Sequence, residues 1–263
     1  ANFPKLKDLQ WEIVRHWADP EIDMGHLKGL EKLLLSMLQF HIVNKLILPP
    51  NIKKLTINRG VIPELVLPAS LVSLRIYETQ IHEVRFQQSL KILEMDQCNG
   101  VNMIIPEGLE RFIYSGMDHY QIPVIPHGLL YLGLPYTKIG PIGLRHIRLP
   151  STLTHLDLSN TTIGDAAMGL ILPKGLTHLN LSHNGIGAEG AKIVLPLGML
   201  HLDFRNNNIG NVGEKNLQLP ATLTTLILDS NLISSVKDLP AGLTALSLDD
   251  NAIDIGELKF PDS

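Results

Sequence analysis

Few side chains in this sequence have the types and spacing that chemistry requires, and the clearest group is a column of histidines. His155, His178 and His201 recur at intervals of 23 residues, and Asp157 and Asp203 follow the first and third of them at the same offset. Imidazoles beside carboxylates can share a divalent metal or titrate together at about pH 6. No Ser-His-Asp set, paired carboxylates, zinc-ligand spacing or phosphate loop is recognisable. The sequence therefore predicts a protein that is not an enzyme and uses no cofactor.

The second candidate for chemistry is a lone cysteine, Cys98, which has no partner for an internal disulfide. Cysteine is an accepted substitute for asparagine at the place that Cys98 occupies in the repeat described below, where the side chain points inward. A reactive thiol needs exposure and electropositive surroundings. We interpret Cys98 as structural, and we expect the chain to fold in a reducing compartment such as the cytosol.

These residues are positioned by a repeat. Prolines that follow Leu, Ile or Phe recur every 19 to 24 residues, at Pro49, Pro68, Pro106, Pro126, Pro150, Pro173, Pro196, Pro220, Pro240 and Pro261, with Gln87 in the one vacant place. After each comes the phrase L-x-x-L-x-L-x-x-N-x-I, clearest at residues 176–186. This period and phrase are the leucine-rich-repeat signature. The fold class predicted is an α/β solenoid, a leucine-rich-repeat horseshoe of about ten units with a parallel concave β-sheet.

Two features vary along the array. The asparagine place holds Asn184, Asn207, Asn231 and Asn251 in the last four units but threonine, cysteine or other residues earlier. An asparagine side chain can donate to and accept from backbone groups that a buried turn leaves unpaired. The spacers over residues 164–171, 187–194 and 210–218 are long and contain helix-favouring residues after a glycine, and we predict short helices there, with extended or 3₁₀ chain in the shorter repeats.

Residues 1–41 are interpreted as a segment that does not repeat. Pro4 is typical of a helix start. Leu6, Leu9, Ile13 and Trp17 fall on one face at helical spacing, as do Leu30 and Leu34 in the following segment. Because a terminal repeat needs a cover for its core, we predict an N-terminal helical cap over 1–41. Residues 42–263 are predicted to form the repeat array, in one continuous domain.

The outward positions of each strand flank its two central leucines and form three columns on the concave face. The candidate contacts for a protein partner are Lys54, Arg75, Tyr77, Arg111, Tyr131, His155, Asp157, His178, His201, Asp203, Arg205, Asp229 and Asp249. Basic side chains gather in the first half, namely Lys54, Arg59, Arg75 and Arg111, and acidic ones at the end, namely Asp229, Asp249, Asp250 and Asp254. This pattern favours a dipolar groove that orients a partner, and the alternative is a merely solvated face.

The histidine column has three interpretations. Adjacent parallel strands lie about 4.8 Å apart, so the three rings are expected to form a ladder. The ladder could bind a metal, although structural zinc needs four fixed ligands. It could be repeat architecture alone, or a partner contact that weakens as the imidazoles gain charge below about pH 6.

The phrase L-P-x-x-L-x-x-L-x-L-x-x-N, with units as short as 19 residues, resembles the bacterial leucine-rich-repeat effectors of the YopM and IpaH type. The resemblance implies secretion from a bacterium into the host cytosol and binding of a host protein. The spacer Gly187–Lys192 is more similar to ribonuclease-inhibitor repeats. Alternatives are the substrate-recognition part of a larger enzyme, such as an effector ubiquitin ligase whose catalytic domain is absent here, and a cytoplasmic bacterial protein without a host target.

Charge and hydropathy exclude other classes of partner. The net charge is −4 and the isoelectric point is near 6.3, so the chain has no basic field for nucleic acid. No apolar stretch approaches the roughly 20 residues of a membrane helix, and no signal peptide is visible. The expected partner is therefore a protein.

Overall fold

The computed structural model describes residues 3, 5–13, 21–38, 41–98, 104–116, 123–236 and 238–253. The chain packs as two compact units. Unit 1 comprises residues 1–117 and 123–129, and unit 2 comprises residues 118–122 and 130–263. The prediction of one continuous domain over residues 42–263 stays a prediction.

Unit 1 is built almost wholly from parallel strands. In its described residues these are β1 (Asp8–Ile13), β2 (Ile22–Asp23), β3 (Lys32–Met37), β4 (Leu46–Ile47), β5 (Lys54–Asn58), β6 (Val61–Leu65), β7 (Ser73–Tyr77), β8 (Gln80–Val84), β9 (Ile92–Asp96) and β10 (Arg111–Ser115). The main sheet of unit 1 has the order β1, β3, β5, β7, β9, β10. Strands β2 with β4 and β6 with β8 form two small parallel pairs. The β6–β8 pair confirms the extended chain predicted for the short repeats.

Unit 2 repeats the same plan with shorter strands. They are β11 (Tyr131–Gly133), β12 (His155–Asp157), β13 (His178–Asn180), β14 (His201–Asp203), β15 (Thr225–Ile227) and β16 (Ala245–Ser247), all parallel and in chain order. Of the three spacers predicted as helices, one contains helix α2 (Gly210–Asn216) and two contain 3₁₀ turns (Gly164–Gly169 and Gly190–Lys192). A further helix, α1 (Gly140–Leu144), was not predicted.

The core is a lattice of aliphatic side chains, as the sequence predicts. Leu156, Leu179 and Leu202 lie opposite one another on neighbouring strands and are at most 2% exposed. Each fully buried leucine contributes about 1.5 to 3 kcal/mol through apolar burial. The parallel register therefore stacks equivalent leucines from unit to unit.

The asparagine column bonds each repeat to its neighbour. The Asn184 side chain donates from Nδ2 to the carbonyls of Leu158 (2.7 Å) and Leu181 (3.1 Å). Its Oδ1 accepts the backbone N–H of Thr161 at 3.0 Å. Thr161, one repeat earlier in the same column, donates its hydroxyl to the Leu158 carbonyl at 2.6 Å but has no side-chain amide group. The asparagine therefore satisfies more buried backbone groups than the threonine does.

The helical cap predicted for residues 1–41 is wrong for the described part of that segment. Leu33, Leu35 and Met37 are buried at a period of two in β3, which pairs with β1 and β5. The backbone N–H of Leu30 donates to the Leu27 carbonyl (3.0 Å), the same turn that Ile52 and Pro49 make later. Leucine thus takes the place of proline, so a proline-anchored alignment misses these units. Pro4 and Trp17, which were assigned to the first helix, lie outside the described residues.

Candidate functional site

Ten of the thirteen predicted contact residues lie in the main strands, and Arg205, Asp229 and Asp249 lie two residues beyond the ends of β14, β15 and β16. We define the outward face as the outward side-chain positions of the main strands together with these three positions. Unit 1 carries Lys54, Arg75, Tyr77 and Arg111, and unit 2 carries Tyr131, His155, Asp157, His178, His201, Asp203, Arg205, Asp229 and Asp249. The predicted dipolar groove along the whole array spans both units and stays a prediction.

In unit 1 the structure gathers Arg75, Tyr77 and Arg111 around Glu94, a residue that the sequence analysis did not select. The Nε atoms of Arg75 and Arg111 each lie 2.9 Å from a different carboxylate oxygen of Glu94. The Tyr77 hydroxyl donates to Glu94 Oε2 at 3.3 Å. Glu94 is only 8% exposed. A signal for it existed, because Glu94 occupies the middle outward column next to Arg75.

The electrostatics of this cluster follow from its burial. Desolvation, and then the Glu94 charge, raise the pKa of Tyr77 above its usual value, so the phenol stays protonated and donates. Two guanidiniums against one carboxylate leave one net positive charge. The arginine side chains remain 47% and 35% exposed, for Arg75 and Arg111 respectively. The cluster is therefore a fixed, weakly cationic anchor beside an aromatic ring.

The outward face of unit 1 is not the basic surface that the sequence pattern indicates. The strands β1 and β3, predicted as helices, add Asp8, Glu12 and Lys32 to this face. In the described main strands of unit 1 the charged outward set is four acidic and four basic side chains: Asp8, Glu12, Glu94, Asp96, Lys32, Lys54, Arg75 and Arg111. Arg59, placed with the basic group from the sequence, lies 3.1 Å from Glu78. The face is charge-balanced because acidic residues accompany the arginines.

In unit 2 the histidine ladder is confirmed and extended by one ring. Tyr131, His155, His178 and His201 stack in register on neighbouring strands. The centroid distances between successive rings are 5.7, 4.1 and 5.7 Å, and the interplanar angles are between 14° and 22°. The rings therefore stack on one another and turn their edges, rather than their faces, away from the column.

Threonines anchor two of these rings. His155 Nδ1 lies 2.9 Å from the Thr154 hydroxyl, and His178 Nδ1 lies 2.9 Å from the Thr177 hydroxyl. For His178, burial comes first and the neighbouring His155 and His201 second in lowering the pKa below its usual value. The central ring therefore favours the neutral state.

The aspartates beside the ladder accept hydrogen bonds from backbone N–H groups two residues further along the chain. Asp157 Oδ1 accepts the backbone N–H of Ser159 (2.9 Å), and Asp203 Oδ1 accepts that of Arg205 (2.9 Å). Asp203 also forms a 2.9 Å ion pair with the Arg205 side chain. Within the described ranges, no three or more His, Cys, Asp or Glu side chains are arranged to hold a metal ion. The geometry gives the metal interpretation of the ladder no support.

Cys98 is buried in the asparagine column, where the sequence analysis placed it. Its Sγ lies 3.4 Å from the Ile76 carbonyl and 3.3 Å from the Asp96 carbonyl, and the residue is 2% exposed. Burial raises the pKa of the Cys98 thiol to about 11. A thiol in this state is a poor nucleophile, so the geometry fits the structural interpretation.

A row of left-handed backbone positions follows the main strands and was not found from the sequence. From β5 onward it lies one residue beyond each described strand end in unit 1 and three residues beyond in unit 2. Its members are Arg59, Glu78, Gln97, Gly116, Tyr136, Asn160, His183, Asn206, Ser230 and Asp250. Only one of these is glycine, so no composition signal marked the column. Tyr136 is the bulkiest of them and is 65% exposed.

Comparisons with known proteins agree with this architecture. The family model described as "Leucine Rich repeat" matches residues 150–171, 176–192 and 199–217. The chain resembles CroV588, described as a novel circular LRR protein structure, with 20% identity and a TM-score of 0.50 over 92% of this chain and 43% of that one. The fold is a leucine-rich-repeat solenoid. The chain thus spans less than half the length of CroV588.

Two other solved structures are similar to this leucine-rich-repeat chain. YopM from Yersinia enterocolitica has 20% identity and a TM-score of 0.45, over 99% of this chain and 76% of that one. The ectodomain of the Arabidopsis thaliana receptor kinase GASSHO1/SCHENGEN3, solved in complex with CASPARIAN STRIP INTEGRITY FACTOR 2, has 14% identity and a TM-score of 0.40, over 94% and 39%. No curated protein matches the chain. In the part of the chain that the structure describes, no helix is both long and apolar enough to cross a bilayer.

Proposed function

We propose that this leucine-rich-repeat chain is a non-enzymatic scaffold that binds a protein partner on its outward face. The observation that carries the proposal is the cluster of Arg75, Arg111 and Tyr77 around the buried Glu94. Arginine and tyrosine are the residue types that dominate binding energy at interfaces. Because Glu94 already fixes both guanidiniums, a partner does not have to order them, which reduces the entropic cost of binding.

The finer proposal is that the scaffold is a bacterial effector that is secreted into a host cell and binds a host cytosolic protein. Its support is the resemblance of the L-P-x-x-L-x-x-L-x-L-x-x-N phrase to the YopM and IpaH type of effector. The alternative, substrate recognition for a larger ubiquitin ligase, uses the same face. Ubiquitin transfer by the product of the full-length reading frame would separate the two.

The test is affinity capture from host-cell lysate with the wild-type chain and with an Arg75→Glu, Tyr77→Ala, Arg111→Glu variant. We expect the wild type to enrich one protein that the variant loses. The Lys192→Glu variant is the matched control, since Lys192 pairs with Glu189 on a 3₁₀ turn away from the sheet. Thermal unfolding of each variant separates lost binding from lost folding.

Hydrogen exchange on the purified complex then locates the interface. Protection at β7, β9 and β10 supports the proposal. Equal capture by the wild type and by a folded triple variant would overturn the proposal. Protection confined to the spacers of these repeats, away from the outward face, would also overturn it.

A further inference from the structure

The sheet face of unit 2 carries net negative charge, whereas that of unit 1 is charge-balanced. Its charged outward residues are four aspartates, Asp157, Asp203, Asp229 and Asp249, and one arginine, Arg205. Arg205 is already paired with Asp203. The histidine column lies along the start of the strands, directly beside this acidic surface. At neutral pH the face therefore combines negative charge with a row of imidazoles.

The hydroxyl groups of the anchoring threonines decide which imidazole nitrogen carries the proton. Thr177 Oγ1 is 3.1 Å from the Thr154 carbonyl, and it has one hydrogen to donate. Thr224 and Thr244 make the same hydroxyl-to-carbonyl bond, at 2.9 and 3.0 Å, in repeats that have no histidine at the next position. The hydroxyl hydrogen thus goes to the carbonyl as a feature of the repeat, with or without a neighbouring ring.

It follows that the hydroxyl oxygen accepts from the ring. In the neutral state His178 donates from Nδ1 to Thr177, at 2.9 Å, and its Nε2 is the acceptor nitrogen. The same geometry holds for His155 and Thr154. Because the ring faces are covered by stacking, a ligand meets the imidazole edges and not their π-surfaces. The Nε2 edge of His178, at the centre of the column, is thereby set up to accept a hydrogen bond.

We propose that the histidine column, with the aspartates beside it, binds a lysine- or arginine-bearing segment of the protein partner. Cationic side chains supply both the hydrogen-bond donors that Nε2 requires and the charge that complements the aspartates. Nucleic acid has the wrong sign of charge for this face. The inference rests on the proposed scaffold function and names the chemistry of the segment that unit 2 receives.

Protonation makes this surface pH-sensitive. His178 faces His155 and His201 on the neighbouring strands, the Thr177 hydroxyl on its own strand, and the column of Asp157, Asn180 and Asp203 with Arg205 behind it. A protonated imidazole loses its acceptor nitrogen and adds a positive charge. Binding of a cationic segment must therefore weaken as the pH falls and His178 gains its proton.

The probe is a synthetic peptide of alternating arginine and serine, and an alternating glutamate and serine peptide is its counterpart. Fluorescence anisotropy at low salt with the full chain is expected to show binding of the arginine peptide at pH 7.5, weaker binding at pH 5.5, and none of the glutamate peptide. His178→Leu should weaken binding about tenfold through loss of one charge-assisted hydrogen bond. His178→Gln keeps an acceptor and should bind well with a smaller pH effect.

Two further variants separate charge from structure. Asp157→Asn removes a charge but keeps the turn, because Asn180 makes the same bond to Ser182 at 3.0 Å. It should weaken binding about threefold, as expected for one partly exposed charge. Glu189→Gln removes a charge from a 3₁₀ turn away from the sheet and should leave binding unchanged.

Equal binding of both peptides, or unchanged binding by His178→Leu, would overturn the inference. Protection of unit 1 instead of unit 2 in hydrogen exchange with the arginine peptide would do the same. The outcome is independent of the capture experiment. Arginine-peptide binding without a captured partner contradicts the proposed function and supports the cation-binding surface of unit 2. A captured partner without arginine-peptide binding supports the proposed function and contradicts the cation-binding surface.

Discussion

Arg75 and Glu94 lie directly opposite each other on neighbouring parallel strands, with Arg75 Nε 2.9 Å from Glu94 Oε2. The pair is asymmetric in its surroundings, since the arginine side chain is 47% exposed and the glutamate side chain 11%. Water can therefore solvate the arginine when the pair is broken, but it reaches the glutamate poorly. The two partners consequently differ in what their removal costs.

The first prediction follows from this asymmetry. The Arg75→Ala, Arg111→Ala double variant leaves the Glu94 carboxylate buried without its cations, and it should lower the free energy of unfolding by on the order of 3 kcal/mol. Glu94→Gln should cost less, about 1 kcal/mol, because it leaves two solvated arginines and a neutral buried amide. Urea denaturation measures both. A larger loss for Glu94→Gln would contradict the argument.

The second prediction concerns the asparagine column. Asn184→Ala should cost about 3 kcal/mol, since it removes hydrogen bonds to several buried backbone groups at once. Asn184→Thr should cost less, because Thr161 occupies the same column in the preceding unit. The surface variant Asn51→Ala, which removes one exposed bond to the Lys28 carbonyl, is the matched control. Equal losses of unfolding free energy for alanine and threonine at position 184 would argue against the column.

The third prediction tests the leucine lattice. Leu179 has no exposed surface and lies between Leu156 and Leu202. Leu179→Ala should lower the free energy of unfolding by about 2 to 5 kcal/mol through lost burial and a cavity. Leu197 is 86% exposed, so Leu197→Ala is expected to unfold at the wild-type temperature. An unchanged melting temperature for Leu179→Ala would show that the position is not in the core.

The fourth prediction is a pH dependence of stability. The pKa of His178 is lowered in the fold from its ordinary value of 6.5, chiefly by burial and then by His155 and His201. A depressed pKa contributes stability that is present above about pH 6.5 and lost as the pH falls through the folded-state pKa. The wild type should therefore lose more unfolding free energy between pH 7.5 and 5.5 than His178→Gln does. Parallel pH profiles for the two proteins would exclude this role for the ring.

Sequence alone determined the features that each repeat encodes locally. The inward leucines, the asparagine column and the alignment of His155, His178 and His201 depend only on the repeat period and on the two-residue alternation of a strand. Because equivalent residues of successive units stack in a parallel sheet, a one-dimensional period is enough to place them. The stacked rings of the ladder confirm this reasoning.

Tertiary structure decided what depends on neighbours. The spacing of Leu6, Leu9 and Ile13 fits a helix face, yet L-x-x-L also opens the repeat phrase, and the pairing of β1 with β3 selects the strand. Contacts across strands likewise bury Glu94 between two arginines. The proton position on His178 depends on the Thr177 hydroxyl, which bonds a carbonyl of the preceding repeat. Such contacts carry no periodic signal, because they depend on side-chain directions and solvent exclusion and not on residue spacing.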